Sequence, residues 1–499
     1  MKENEKLLDI IGEVDEELIP NISENVQITY NKPAHSKKVY RMIALFASVA
    51  AVIVLVISIT RPANEISVDS GKNQVSTGND GTNTKDNVYE NGFEDNGTVP
   101  LKEADTDTQF LLATATYPEN TQNSAKYPLR GESDSIYNFF SKTAATILAE
   151  ADKNVIYSPI SLYIALAMSA EITGGNSQQQ IAALLGQKEL EKIRQNAKTV
   201  WEYSYADFGK LKIIPASSLW LNASKTYKKS TIESLAKNYY ASVFGGDPAS
   251  DEYVARLRKW INDHTDGLLK NFVSGIKMKP DMIVTLVSTL NFSDGWSDKF
   301  SETETKADVF HTPEGDIKCD FMHADKSAYD FGKKFSSVSF WMGNGCKMIT
   351  VLPDEGVTCE ELLQDSEALL CLMGKPQYTD IKRTHVSIPK FDISSSINLN
   401  DELKALGVTD IFNPLAADFS PLVEQDIAYV DKIQQDVRVM IDEEGCRAAA
   451  VTNVEACWGE IIPDGDFYYS LDRPFLFAIV QSTNVPLFMG IVNNPVRNN

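Results

Sequence analysis

Residues Met42 to Ile59 read MIALFASVAAVIVLVISI, eighteen consecutive positions without a charged side chain. As a helix such a run rises about 27 Å, close to the ~30 Å of hydrocarbon in a bilayer, so a transmembrane helix is expected over 42–60. Lys37, Lys38 and Arg41 precede it. That positive flank places residues 1–41 in the cytoplasm and the rest of the chain outside. The alternative is a leader cleaved from a secreted protein. The long charged stretch before the run, and the lack of a small-x-small site before Arg61-Pro62, favour a retained single-pass anchor.

The composition changes after the run. Residues 61–128 are rich in Asn, Asp, Gly, Thr and Ser, as in SGKNQVSTGNDGTNTKDN. Such a segment buries too little apolar area to offset the entropy of ordering it, so a flexible extracellular linker is expected. Its root-mean-square reach is about 40–50 Å. From 129 to 499 the pattern is globular. Ile136, Phe139, Phe140 and Ile147 form an apolar stripe at helical spacing, and Pro159 opens a second helix through Leu166 and Met168. Gly174-Gly175 ends that helix, and Gln178–Leu185 again has helical spacing. Strand-like runs follow at Met282–Leu290, Lys347–Leu352, His385–Ile388 and Val437–Ile441, then Phe475–Val480 and Pro486–Val492 around a short turn. Helices early and strands late point to an α+β fold.

Charge and chemistry exclude several functions. Lys plus Arg number 47 against 69 Asp plus Glu, a net charge of −22 that repels phosphate backbones, so no nucleic-acid partner is expected. The five histidines are too scattered for a zinc site. The six cysteines all follow residue 318, without a CxxC pair. Neither G-x-S-x-G nor H-E-x-x-H occurs, so no catalytic residue, metal or cofactor is expected and the chain is not read as an enzyme.

Five blocks, in order, carry a family resemblance. NVIYSPISLYIALAMSAEITGGNS (Asn154–Ser177) resembles the helix-B region of serpins, with its N-x-x-x-S-P-x-S pattern. LNFSDGWSDKF (Leu290–Phe300), followed by Thr305, resembles the serpin sheet-A stretch that carries a tryptophan. VSIPKFDISSSINLNDELKALGVTDIF (Val386–Phe412) is similar to the V-x-x-P-K-F stretch. DEEGCRAAAVTNV (Asp442–Val454) resembles the serpin hinge, and DRPFLFAIVQSTNVPLFMGIVNNP (Asp472–Pro495) the C-terminal signature. The resemblance implies about nine helices around three β-sheets and a mobile reactive-centre loop. It also implies suicide inhibition of extracellular serine, or cysteine, proteases by a monomer: the cleaved loop inserts as a strand of sheet A and traps the covalent complex. A non-inhibitory binding or scaffold protein of the same fold is the alternative.

The hinge can be tested for its ability to become a buried strand, since strand side chains alternate between faces. One alternate set is Cys446, Ala448, Ala450, Thr452, Val454 and Ala456, none of them large or charged. The other is Arg447, Ala449, Val451, Asn453, Glu455 and Cys457, which holds both charges. No proline lies between Gly445 and Ile462, so no ladder donor is lost, and Gly445 supplies a pivot. Alone, the stretch also admits an alanine-rich helical turn as the less favoured reading.

Further site assignments follow from the resemblance. Glu443, Glu444, Gly445, Cys446, Arg447, Ala448, Ala449, Ala450, Val451 and Thr452 correspond to the hinge. The usual hinge length puts the reactive bond between Gly459 and Glu460, while a longer stretch before Pro474 leaves Trp458, Glu460 or a later residue as alternative P1 positions. Asn154, Ser158, Pro159 and Ser161 match the shutter, where sheet A parts. Gln435 stands where a histidine is common, and Ser288 where an asparagine is. Trp296 corresponds to the breach, where insertion begins, and Lys390 and Glu443 to an ion pair at the loop base. A disulfide between Cys446 and Cys457 is not expected: on insertion they separate by over ~30 Å.

Overall fold

A strand of a large sheet that is covered on both faces needs apolar residues at every position, and this chain supplies several such stretches. The computed structural model describes residues 49–61, 98–100, 110–115, 133–149, 153–208, 211–343, 345–423, 427–444 and 465–496. Its largest sheet, sheet A, contains β1 (Val49–Thr60), β2 (Leu111–Ala113), β3 (Leu211–Asn222), β4 (Ala241–Gly246), β5 (Met282–Asp294), β6 (Phe391–Asn398) and β7 (Tyr429–Ile441). Their order in space is β6-β7-β1-β5-β3-β4-β2, with Ala206–Phe208 paired to β3 as an eighth strand. Only β3 and β4 run parallel.

Helices close both faces. The helix α1 (Ser133–Ile147) buries the predicted stripe, since Ile136, Phe139, Phe140 and Ile147 are all buried. After a short strand at Val155–Tyr157 comes α2 (Pro159–Ile172), every residue of which is buried. A helix so enclosed has no polar face to show. On the opposite side of sheet A, Tyr253, Leu257, Trp260 and Ile261 of the helix Asp251–His264 pack on Trp220 of β3 and Val287 of β5. Beside sheet A lie a seven-stranded sheet, a four-stranded sheet and a two-stranded ladder. Among the described residues there are ten α-helices, one more than expected.

The expectation for Met42–Ile59 is corrected. Residues Val49–Thr60 form not a membrane helix but β1, in the middle of sheet A and antiparallel to both neighbours. No helix among the described residues is long and apolar enough to cross a membrane. Two environments ask for the same composition: a bilayer, and a central strand with protein on both faces. Ala51, Ile53, Leu55, Ile57 and Ile59 join the main core, while Val52 and Val54 enter the cluster under the helix Asp251–His264. Nor is the whole of 61–128 a tether. Thr98–Pro100 pairs with Thr226–Lys228, and Leu111–Ala113 is the edge strand β2 beside β4. These are strands too short to announce themselves by periodicity.

Candidate functional site

The candidate site is the space between β5 and β7 that β1 fills, together with its mouth. Each residue of β1 from Ala50 to Thr60 has a partner on both sides, as in Val52 between Asn291 and Arg438, or Leu55 between Ser288 and Gln435. Val49 pairs with Asp294 and Ala50 with Met440, so the mouth lies where β7 ends at Ile441. β1 thus occupies the inner edges of both flanking strands, with a bulge opposite Asp431 of β7 and another opposite Ile283 of β5.

At the mouth, Trp296 is buried and donates its indole N–H to the Asp442 carbonyl at 2.7 Å. Phe300 and Phe340 meet it edge-on at 5.8 and 6.1 Å between ring centroids, an arrangement that favours opposite parts of the ring quadrupoles. The predicted ion pair is present. Lys390 Nζ lies 2.8 Å from a Glu443 oxygen. Thr305 donates its hydroxyl to the other oxygen at 2.7 Å. Burial alone would raise the Glu443 carboxyl, but the bonds from Lys390 and Thr305 outweigh it and hold the pKa below its ordinary value. Glu444 is tied to Lys299 at 3.0 Å. Each of the first two hinge residues therefore has a cation at the mouth.

Halfway down the sheet, Gln435 is fully buried in β7. Its side-chain oxygen accepts from the Ser158 backbone N–H at 2.9 Å, and its amide donates to the Ser158 carbonyl at 3.2 Å. Ser158 caps α2, its hydroxyl accepting from the Ser161 N–H at 3.3 Å, with Pro159 at the first helical position. The neutral amide makes both bonds at once, so this junction carries no titrating group. Ser288 is buried in β5 across from Leu55. Asn154 lies apart: its side-chain oxygen accepts from the N–H groups of Asn493 and Asn494, at 2.8 and 2.9 Å, and its amide donates to the Asn494 carbonyl. It ties the C-terminal segment to the start of this region.

The hinge from Gly445 to Thr452 and the reactive-bond candidates Trp458, Gly459 and Glu460 lie outside the described residues, as do Cys446 and Cys457. Both ends of that segment are placed, at Glu444 and at the strand Asp466–Ser470 of the four-stranded sheet. Cys319, Cys359 and Cys371 are free thiols. Sequence reasoning missed Thr305 as a ligand of Glu443, Asp442 as the acceptor for Trp296, and the whole of β1. The only signal for β1 was its unbroken apolar run.

The sequence profile of the family described as Serpin (serine protease inhibitor) matches residues 135–495. The chain belongs to the serpin family. Among its relatives, Serpin-Z2A of Triticum aestivum is 28% identical over 381 residues, covering 71% of this chain and 94% of the relative. The leukocyte elastase inhibitor of Homo sapiens is 27% identical over 362 residues, covering 68% and 93%. Of solved structures, the thermophilic serpin tengpin in its native state superposes with a TM-score of 0.63 at 24% identity, covering 74% of this chain and 97% of that one.

Proposed function

We propose that this serpin inhibits serine proteases, and cysteine proteases whose pockets accept its bait, as a single-use inhibitor that is not itself an enzyme. The reading rests above all on one observation: sheet A accommodates an extra central strand between β5 and β7, with its mouth beside the first hinge residues Glu443 and Glu444. The protease's Ser or Cys nucleophile attacks the bait carbonyl. The peptide bond breaks, its nitrogen leaves with a proton from the protease's own acid, and an acyl-enzyme remains. The small alternate set from Cys446 to Ala456 then enters the sheet and carries the bound protease away from the mouth before water attacks.

The test is incubation of the purified chain with elastase, chymotrypsin, subtilisin and papain. SDS-resistant complexes are expected once sheet A is free to take the loop, in a chain with β1 disrupted if not in the native one, and sequencing of the released C-terminal fragment identifies the cut at Gly459, Trp458 or Glu460. A second reading, a non-inhibitory binding or scaffold protein, draws on the filling of the slot by β1. Clean turnover with no complex, both in the native chain and in a chain with β1 disrupted, would establish it.

Location follows from sequence alone. Residues 42–60 suit a single-pass anchor with residues 1–41 cytoplasmic and a monomeric folded part outside, and secretion after cleavage is the alternative. An anchor of this kind belongs to a state in which Val49–Thr60 has left sheet A.

A further inference from the structure

Occupancy of the slot and insertion of the loop draw on the same hydrogen bonds. β1 uses the inner edges of β5 and β7 from Asp294 and Met440 at the mouth to Met282 and Tyr429 at the far end. It runs antiparallel to β7, the direction that a strand turning back after Glu444 must also take. Two strands cannot share one ladder, because each backbone N–H and C=O on those edges has one partner in the sheet.

The competition also has a side-chain component. Facing the main core, β1 presents Ala51, Ile53, Leu55, Ile57 and Ile59, all buried. The loop's corresponding set is Cys446, Ala448, Ala450, Thr452, Val454 and Ala456. The β1 set buries more apolar surface per position, so the smaller loop residues do not displace it by burial alone. On the other face, Val52 and Val54 pack beneath the helix Asp251–His264. No charge lies anywhere in the strand.

We propose that Val49–Thr60 is an intramolecular plug of sheet A: with β1 in the slot a cleaved loop stays outside and the protein is consumed as a substrate, and only withdrawal of β1 makes it an inhibitor. The proposal rests on the inhibitory reading above and adds its regulation.

The test compares three forms of the full chain: wild type, Leu55→Arg to expel β1, and a lock made by Ser58→Cys with Lys432→Cys, which face each other across β1 and β7. A residue pair directly opposite in antiparallel strands is within reach of a disulfide. Each form is treated with subtilisin and chymotrypsin, and two quantities are read: the SDS-resistant complex formed per cleaved molecule, and the change in Tm on loop cleavage. For wild type and for the oxidised lock, cleavage without a rise in Tm and with little or no complex is expected. For Leu55→Arg, a rise in Tm and a several-fold gain in complex are expected. If Leu55→Arg lacks a cooperative transition, Val56→Arg at the half-buried position of β1 replaces it.

A wild type or oxidised lock that gains the same Tm rise and traps as well as the expelled form would overturn the plug and leave the inhibitory reading standing. No complex and no Tm rise in any form, with the lock reduced or oxidised, would remove the inhibitory reading, and the plug with it.

Discussion

Asp436 lies in β7 between Val54 of β1 and Ser396 of β6, only 4% exposed. Burial disfavours its carboxylate and, against the hydrogen bonds from Ser396 and Gln434, pushes the pKa up to about 6. A carboxyl that holds its proton more tightly when folded than unfolded stabilises the fold fully below its unfolded pKa. That contribution is lost as pH rises through the folded value. Asp436→Asn removes the ionisation. The variant's stability relative to wild type is therefore expected to be smallest at pH 4 and to grow by about 1–3 kcal/mol by pH 7.5. Urea midpoints at constant m value measure it, and a flat difference across that range would refute it. Nothing in the sequence announced this group, because a single Asp in an alternating strand reads as outward and solvated. The family pattern, by contrast, did reveal Trp296, Lys390, Glu443 and Gln435. Their partners Thr305 and Asp442 were hidden because a hydrogen bond across more than a hundred residues leaves no local signature.

Among the elements, the early helices, β5, β7 and the C-terminal pair were legible from period and punctuation. β1 was not. Periodicity distinguishes strand from helix only when one face is polar, and here the helix Asp251–His264 and the main core cover both. The same two-sided burial sharpens the expectation for the loop. Ala450 belongs to the set that must face the main core, where an Arg would be buried unpaired. Ala449 belongs to the opposite set, which on insertion would take the other face, closed at Val52 and Val54 but half-buried further along at Val56 and Ser58. In the Leu55→Arg background, Ala450→Arg is expected to abolish SDS-resistant complex and leave plain cleavage. Ala449→Arg is expected to retain most of the complex. Gel densitometry at fixed protease ratio separates them, and equal loss from both would contradict strand insertion.

For the whole molecule, Val49–Ile59 has two ways to satisfy its backbone: within itself as part of a helix in lipid, or with β5 and β7 as a strand. Residues 49–59 cannot do both, so a bilayer and the slot compete for them. The body carries most of a net charge of −22 and is repelled by anionic headgroups, so the competition is cleanest with neutral lipid. The full chain reconstituted in phosphatidylcholine vesicles is expected to form more SDS-resistant complex per cleaved molecule than the same chain free in buffer. Adding anionic lipid should reduce that gain at low salt and restore it at high salt, because the repulsion is screened. The oxidised Ser58→Cys, Lys432→Cys lock should show no gain with vesicles of either composition, since its β1 cannot leave the sheet. If vesicles change nothing for the unlocked chain while Leu55→Arg still traps protease, the strand is released by some means other than lipid, and the apolar run serves the sheet alone.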